Sequence, residues 1–154
     1  MMYLWLKYIH IMSATILFGT GIGTASVMLY GHFTQNIPAM AVINQYVVKC
    51  DWLFTGISGI LQPISGLGMV FLGKYSLKTP WILGSILAYI ITMACWFIVV
   101  YLQIKIKNIT LYAAKTNRPL PVSYYNYFKW WFIFGCPALI SLMLIFYWMV
   151  MKSL

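Results

Sequence analysis

The sequence predicts an all-α integral membrane protein, an antiparallel bundle of four transmembrane helices. Of its 154 residues, 63% are hydrophobic and only 7% are charged, whereas a soluble domain carries about 25% charged residues. The apolar residues form four runs, each near the roughly 20 residues that cross a bilayer core of about 30 Å. Because the alternating pattern of a membrane β-barrel is absent, helices are the only expected spanning form.

The four predicted spans belong to one domain that covers residues 1–154. They run over residues 3–30, 52–72, 81–102 and 130–151. Trp52, Trp81 and Trp130 stand at the starts of three spans, where interfacial aromatic side chains anchor membrane helices.

The three connections differ in character. Residues 31–51 contain an amphipathic stretch that could lie along the membrane interface. Residues 73–80 are expected to form a tight hairpin, because Thr79-Pro80 ends one element and begins the next. Residues 103–129 are expected to form a long polar loop, interrupted at Arg118-Pro119-Leu120-Pro121.

The net charge of +9 indicates contact with anionic lipid headgroups. The sequence has no basic helix face or RNA-recognition motif, so nucleic acid is not an expected partner. One side of the membrane receives the larger share of the cations: Lys49, Lys105, Lys107, Lys115, Arg118 and Lys129, against Lys7, Lys74, Lys78 and Lys152. The positive-inside rule therefore predicts that both termini lie on the non-cytoplasmic side.

Three spans each carry one stripe of polar or small residues, which we expect to face the bundle interior because a polar group facing lipid has no partner. The stripes are His10, Ser13, Leu17, Thr20, Gly21 and Thr24; Thr55, Ser58, Gln62, Ser65 and Met69; and Ser85, Tyr89, Thr92 and Trp96.

Gly19 and Gly23 form a GxxxG pair in the first span. Such a pair allows two helix backbones to approach closely. Packing within the bundle is the favoured interpretation, and an interface with a second copy or with partner membrane subunits is the alternative.

His10 and Gln62 are predicted at similar depths on antiparallel neighbouring helices. Pro63 has no N–H, so it frees the Gly59 carbonyl four residues earlier. The resulting kink would open a small polar pocket beside Gln62. His10 could therefore be a structural residue bonded to Gln62 or to a freed carbonyl, or it could handle protons or a metal.

The runs WLKYIHIMSATILFGTGIGTA, DWLFTGISGILQPISGLG, TPWILGS, CWFIVVYLQIKIK and WWFIFGCPA together resemble a bacterial family of predicted integral membrane proteins whose function is unknown. The resemblance covers nearly the whole chain and implies four spans. More distantly, the first span is similar to that of HemJ-type protoporphyrinogen oxidases and CopD-like membrane proteins. Only His10 carries over from that likeness, which implies a b-type haem.

A haem needs an apolar slot, an imidazole ligand for the iron and groups that hold the propionates. His10 would ligate the iron, Gln62 or Ser13 would orient it, and Lys7 could meet a propionate. The second axial ligand would be a methionine; by depth, the candidates are Met69, Met93 and Met143.

Three functions follow as expectations. The first is haem-based electron transfer or porphyrin-related oxidation. The alternatives are a non-catalytic subunit or assembly factor of a larger membrane complex, and a small-solute or metal transporter. His32 is expected to be solvated in a loop, and Asp51 is expected to cap the N-terminus of the second span.

Overall fold

The structure is a computed structural model that describes residues 1–152, and its regular elements there are all helical. The helices are α1 (Met2–Thr34), α2 (Ile37–Cys50), α3 (Ile57–Leu72), α4 (Pro80–Thr116) and α5 (Val122–Met151). A π-helical turn, Asp51–Gly56, joins α2 to α3 without a break. Four helical segments are long and apolar enough to cross a membrane, which confirms the predicted fold class.

The four segments run antiparallel. α1 packs along α2 and α3, α2 packs on α4, and α4 makes the most extensive interface, with α5. We call the end that contains residues 73–79 the hairpin end. The opposite end, built from the end of α1, α2, the second half of α4 and the start of α5, is the basic end, because most of the lysines lie there.

The hairpin between α3 and α4 is confirmed. Lys74 adopts the left-handed conformation with φ 53°, and Thr79 precedes Pro80 at the start of α4. Residues 31–51 differ from the expectation, because α2 continues through the π-helical turn into the second span and packs on α4. It is therefore not a separate interfacial helix.

The expected polar loop over residues 103–129 is wrong. α4 continues to Thr116 and α5 begins at Val122, so only residues 117–121 interrupt the helices. The extension of α4 is amphipathic, with Gln103, Ile106, Thr110 and Ala113 buried at helical spacing. Its cations lie on the other faces, and their density produced the polar appearance of the segment.

The core of the basic end is dense and largely aromatic. It contains Met28, Met40, Val47, Leu102, Ile106, Tyr124, Phe128 and Trp131. A buried hydrogen bond of 3.2 Å from Asn44 Nδ2 to Thr110 Oγ1 ties α2 to α4. This core lies next to Asp51 and Gln103, which stand between it and the apolar spans.

Asp51 lies at the border between the basic end and the apolar spans. At a rise of 1.5 Å per residue, Asp51 is about 30 Å from Leu72 along the helix, which is the thickness of a bilayer core. The apolar run of α4 ends at Leu102, directly before the buried Gln103. Both side chains therefore sit at the same level of the bundle.

Candidate functional site

Asp51 is the only acidic residue in the sequence, and its side chain is just 3% exposed. Its Oδ1 accepts hydrogen bonds from Thr24 Oγ1 at 3.1 Å and from Thr55 Oγ1 at 3.2 Å. The Gln103 amide also faces the carboxyl group. Asp51 has helical dihedrals inside a continuous helix, so the expected role as an N-terminal cap is wrong.

The π-helical turn begins at Asp51. A π turn adds one residue to a helical repeat, and such turns are frequent at functional sites because they re-aim side chains. Here Thr24 of α1 and Thr55 of the π-helical turn both donate to Asp51. The distortion therefore accompanies the one carboxylate of the chain.

A partly open cavity of about 300 Å³ borders Asp51. Its polar wall includes Thr24, Thr55, Thr92 and Gln103, and most of the remaining wall is apolar or aromatic. No lysine, arginine or histidine side chain lines the cavity. The carboxyl group thus borders the cavity without a cationic residue beside it.

Unpartnered polar atoms concentrate around this cavity. In the described part of the chain, three side-chain atoms are shielded from solvent and have no hydrogen-bond partner: Trp96 Nε1, Gln103 Oε1 and Trp131 Nε1. All three belong to residues that line the cavity. Buried polar groups are nearly always paired in native proteins, so each exception needs an explanation.

The cavity opens between α1 and α5, which do not pack along their lengths. Gly21 of α1 and Gly135 of α5 line it, and a Cβ atom at either glycine would meet nothing within 4 Å. The missing side chains leave a lateral gap between two apolar helices. The rings of Phe18 and Phe146, with centroids 5.3 Å apart, join the same two helices elsewhere along their length.

The polar cluster around His10 is separate from this cavity. His10 Nδ1 is 2.9 Å from Ser65 Oγ, and Gln62 Nε2 donates to the His10 carbonyl at 2.8 Å and to Ser13 Oγ at 2.7 Å. His10, Ser13 and Gln62 therefore meet as the sequence predicts. Lys7 is exposed and is not part of the cluster.

The hydrogen bonds define the His10 tautomer. Ser65 Oγ donates its one proton to the Leu61 carbonyl at 2.6 Å, so it accepts from His10 and Nδ1 carries the hydrogen. The lone pair of the neutral ring is then on Nε2, which is the arrangement of a metal-ligating histidine whose other nitrogen is held by a partner.

The other groups expected to contact a haem are not gathered around His10 in this structure. The ring packs on Gly66, where a Cβ atom would lie 3.2 Å from His10 Cε1. Met93 packs on Gly59 beside Leu17, which is about 10 Å further along α1 than His10. Met143 is exposed. His10 does not line the cavity beside Asp51.

The Gly59 carbonyl that Pro63 frees has found a partner. The hydroxyl of Tyr89 in α4 donates to it, so the kink in the second span is tied to the third span. The predicted inward stripes are confirmed at Ser58, Ser65 and Ser85, which are all buried.

Two further expectations are wrong. Gly19 and Gly23 are exposed, and a Cβ atom at either would meet nothing within 4 Å, so they do not mediate packing within the bundle. His32 lies in α1, which extends to Thr34. Its ring stacks on Phe128 with centroids 3.9 Å apart and its Nδ1 is 2.9 Å from Tyr124 Oη, so it is not a solvated loop residue.

The sequence profile of one family, described as "predicted integral membrane protein (DUF2269)", matches residues 4–153 of the chain. The chain therefore belongs to this family of multi-pass integral membrane proteins. No match was found among proteins of curated function or among solved structures. The likeness of the first span to HemJ-type proteins stays a prediction.

Proposed function

We propose that this family member is a membrane-embedded binding protein for a small lipophilic molecule, which it holds in the cavity beside Asp51. One observation carries the proposal. The single carboxyl group of the chain and the unpartnered atoms of Trp96, Gln103 and Trp131 all belong to residues around the same cavity. This proposal differs from the functions expected from the sequence, among which a small-solute transporter comes nearest to it.

The energetics favour a ligand at this place. A buried polar group without a partner is unfavourable by about 1–3 kcal/mol. Three such groups around one cavity would each destabilise the fold if the cavity stayed without an occupant. A molecule with polar atoms at one end would supply a missing partner when one of these side chains turns its polar atom towards the cavity, and would recover part of that free energy.

The size and the walls of the cavity suit a small molecule. Its volume of about 300 Å³ is at the lower end of the range for ligand pockets, which are mostly apolar with a few fixed polar groups. The lateral gap at Gly21 and Gly135 gives access from the bilayer. We therefore expect the ligand to partition into lipid before it binds.

Filling the gap tests this function. The full-length protein in nanodiscs would be screened by ligand-observed NMR against neutral and charged aromatic fragments of up to about ten heavy atoms, a size suited to a pocket at the low end of the usual range. We expect at least one fragment to bind the native protein. Gly21→Leu places an isobutyl group at the cavity wall and should abolish that binding.

Thr15→Leu is the control. Thr15 is exposed on the same helix, and it does not line the cavity. Binding should survive this substitution. Fragment binding that is equal in both variants, or that is missing from the native protein, would overturn the proposed function.

A b-type haem on His10 is the second candidate, and the Nδ1–H tautomer favours it because Nε2 then carries a lone pair. Haem would supply one-electron chemistry. His10 would ligate the iron, and Ser65 and Gln62 would hold His10 in place. Protein produced with added haem precursor would show a Soret band that His10→Ala removes. Colourless protein under those conditions would exclude this candidate.

We further propose that Gly19 and Gly23 mediate association, either between copies of the chain or with partner membrane subunits. The pair is exposed and lacks neighbours within the bundle. Cross-linking in native membranes should give a defined adduct that Gly19→Leu removes. A monomer in both proteins would contradict the idea.

We also propose a bacterial inner (cytoplasmic) membrane location, which the resemblance to a bacterial family supports, with both termini on the non-cytoplasmic side, which the positive-inside rule supports. The structure groups the cations of residues 105–129 at the basic end, which would then face the cytoplasm. Two variants test this orientation, Lys115→Cys and Lys78→Cys. Each would be treated in intact spheroplasts with a membrane-impermeant maleimide. Labelling at position 78 alone is expected, and labelling at position 115 alone would reverse the orientation.

A further inference from the structure

We propose that the head group of the ligand is a cationic amine, recognised by the juxtaposed Asp51 carboxylate and Gln103 amide oxygen at the end of the cavity. The inference rests on the proposed binding function and adds the charge and the chemical class of the ligand. It arises from two acceptors at one point of the wall, the Asp51 carboxylate and Gln103 Oε1, that have room for further hydrogen-bond donors.

Asp51 is the first of these acceptors. The hydroxyls of Thr24 and Thr55 both donate to its Oδ1, and the Gln103 amide N–H also faces the carboxyl group. A carboxylate has about four acceptor positions, so this group retains one for an incoming donor. The two hydroxyls hold the carboxylate in one orientation.

Gln103 is the second. Its side chain is 3% exposed, its amide N–H faces the Asp51 carboxyl group, and its Oε1 has no donor. A neutral hydroxyl carries one O–H donor and could satisfy only one of the two residues. A primary ammonium group carries three N–H donors and could serve Asp51 and Gln103 together.

The charge of the site points the same way. A buried carboxylate is strongly unfavourable unless an opposite charge lies beside it. No cationic side chain lines the cavity, so the protein itself does not supply that charge here. The indole rings of Trp96 and Trp131 also line the cavity, and indole faces attract organic cations.

A metal ion is a poorer fit for this acceptor set. The described residues contain no group of three or more His, Cys, Asp or Glu side chains that could hold one. Apart from Asp51, the polar groups beside the cavity are neutral, and its aromatic walls suit a carbon skeleton. The site therefore matches a lipophilic amine, with its ammonium at Asp51 and its apolar body towards Gly21 and Gly135.

A matched pair of probes tests the head group. 2-Phenylethylamine and 2-phenylethanol share a skeleton and differ only in the polar group, and the amine is protonated at pH 7. Their dissociation constants would be measured on the full-length protein in nanodiscs of neutral lipid. We expect the amine to bind about tenfold more tightly, because charge-assisted hydrogen bonds are roughly twice as strong as neutral ones.

Asp51→Asn should remove most of this preference. Asparagine keeps the side-chain shape and an oxygen that the hydroxyls of Thr24 and Thr55 can reach, so the fold should persist. The ratio of the two dissociation constants should then fall to about one, since the charge-assisted bond is lost. If this variant does not fold, Gln103→Leu gives a second reading and should weaken amine binding while phenylethanol binding is unchanged.

The outcomes separate the two proposals. Equal binding of both probes in the native protein, with loss in Gly21→Leu, would overturn the amine head group and leave the lipophilic site intact. Failure of every fragment to bind in a Gly21-dependent way would overturn the proposed function itself. A tenfold preference that persists in Asp51→Asn would show that the amine is held elsewhere, which also contradicts this inference.

Discussion

Replacing Tyr89 by phenylalanine removes one hydroxyl and keeps the aromatic ring, so it isolates a single hydrogen bond between the second and third spans. That hydroxyl donates to the carbonyl of Gly59, which has no helical donor because Pro63 lacks an N–H. Gly59 is buried, so water cannot replace the lost donor.

The magnitude follows from the fate of that carbonyl. A buried acceptor left without a donor is unfavourable by about 1–3 kcal/mol in soluble proteins. Measured side-chain hydrogen bonds between membrane helices are weaker, averaging about 0.6 and reaching about 1.7 kcal/mol. Since the proline removes the usual alternative donor, we expect Tyr89→Phe to lower the free energy of unfolding by about 1.5 kcal/mol, near the top of that range.

A double-mutant cycle with Pro63→Ala tests the reason for this value. Alanine restores an N–H that can donate to Gly59, so the carbonyl no longer depends on Tyr89. In the Pro63→Ala background, Tyr89→Phe should therefore lower the free energy of unfolding by only about 0.5 kcal/mol, giving a coupling near 1 kcal/mol. Unfolding would be followed in mixed micelles by titration with a denaturing detergent.

The cycle can refute the reasoning outright. If Tyr89→Phe has the same effect in both backgrounds, within about 0.3 kcal/mol, the two residues are independent. The hydroxyl would then stabilise the bundle by some route other than the freed carbonyl.

Three smaller predictions concern packing and polar contacts, each read from the free energy of unfolding in the same titration. Gly23→Ala should be neutral or stabilising by up to about 1 kcal/mol, because the site is open within the bundle and alanine favours helix; a clear loss would show that the added methyl group meets another part of the same bundle. Gly31→Ala should gain less than Gly23→Ala, because its Cβ atom would lie 2.9 Å from the flexible end of Ile43; an equal gain would contradict that contact. Asn44→Leu should be destabilising by about 1 kcal/mol through loss of the bond to Thr110, and an unchanged value would show that the bond contributes nothing.

The sequence predicts the membrane class, the apolar spans and the hairpin at Thr79-Pro80, because these follow from hydropathy and from proline chemistry. It also predicts that His10, Ser13 and Gln62 meet, since their depths and helix faces agree. The error over residues 103–129 arose because lysine density outweighed the helical spacing of Ile106, Thr110 and Ala113. That spacing was the signal that could have revealed the extension of α4.

The cavity could not be predicted as a site, because it depends on tertiary placement. Asp51 is the only carboxyl group of an apolar chain, and that alone could have marked it. Its contact with Thr24, its level with Gln103 and the gap between α1 and α5 become visible only in the folded bundle. The π-helical turn has no local sequence signature that distinguishes it from a regular helix.

The location of a bound amine tests the central claim most directly. Crystals of the full-length protein grown with 2-(4-bromophenyl)ethylamine would show the bromine by anomalous scattering and the amine by electron density. We predict a single strong peak between α1 and α5, with the nitrogen within hydrogen-bonding distance of Asp51 and Gln103. A peak confined to the lipid-facing surface or to the His10 cluster would contradict the assignment.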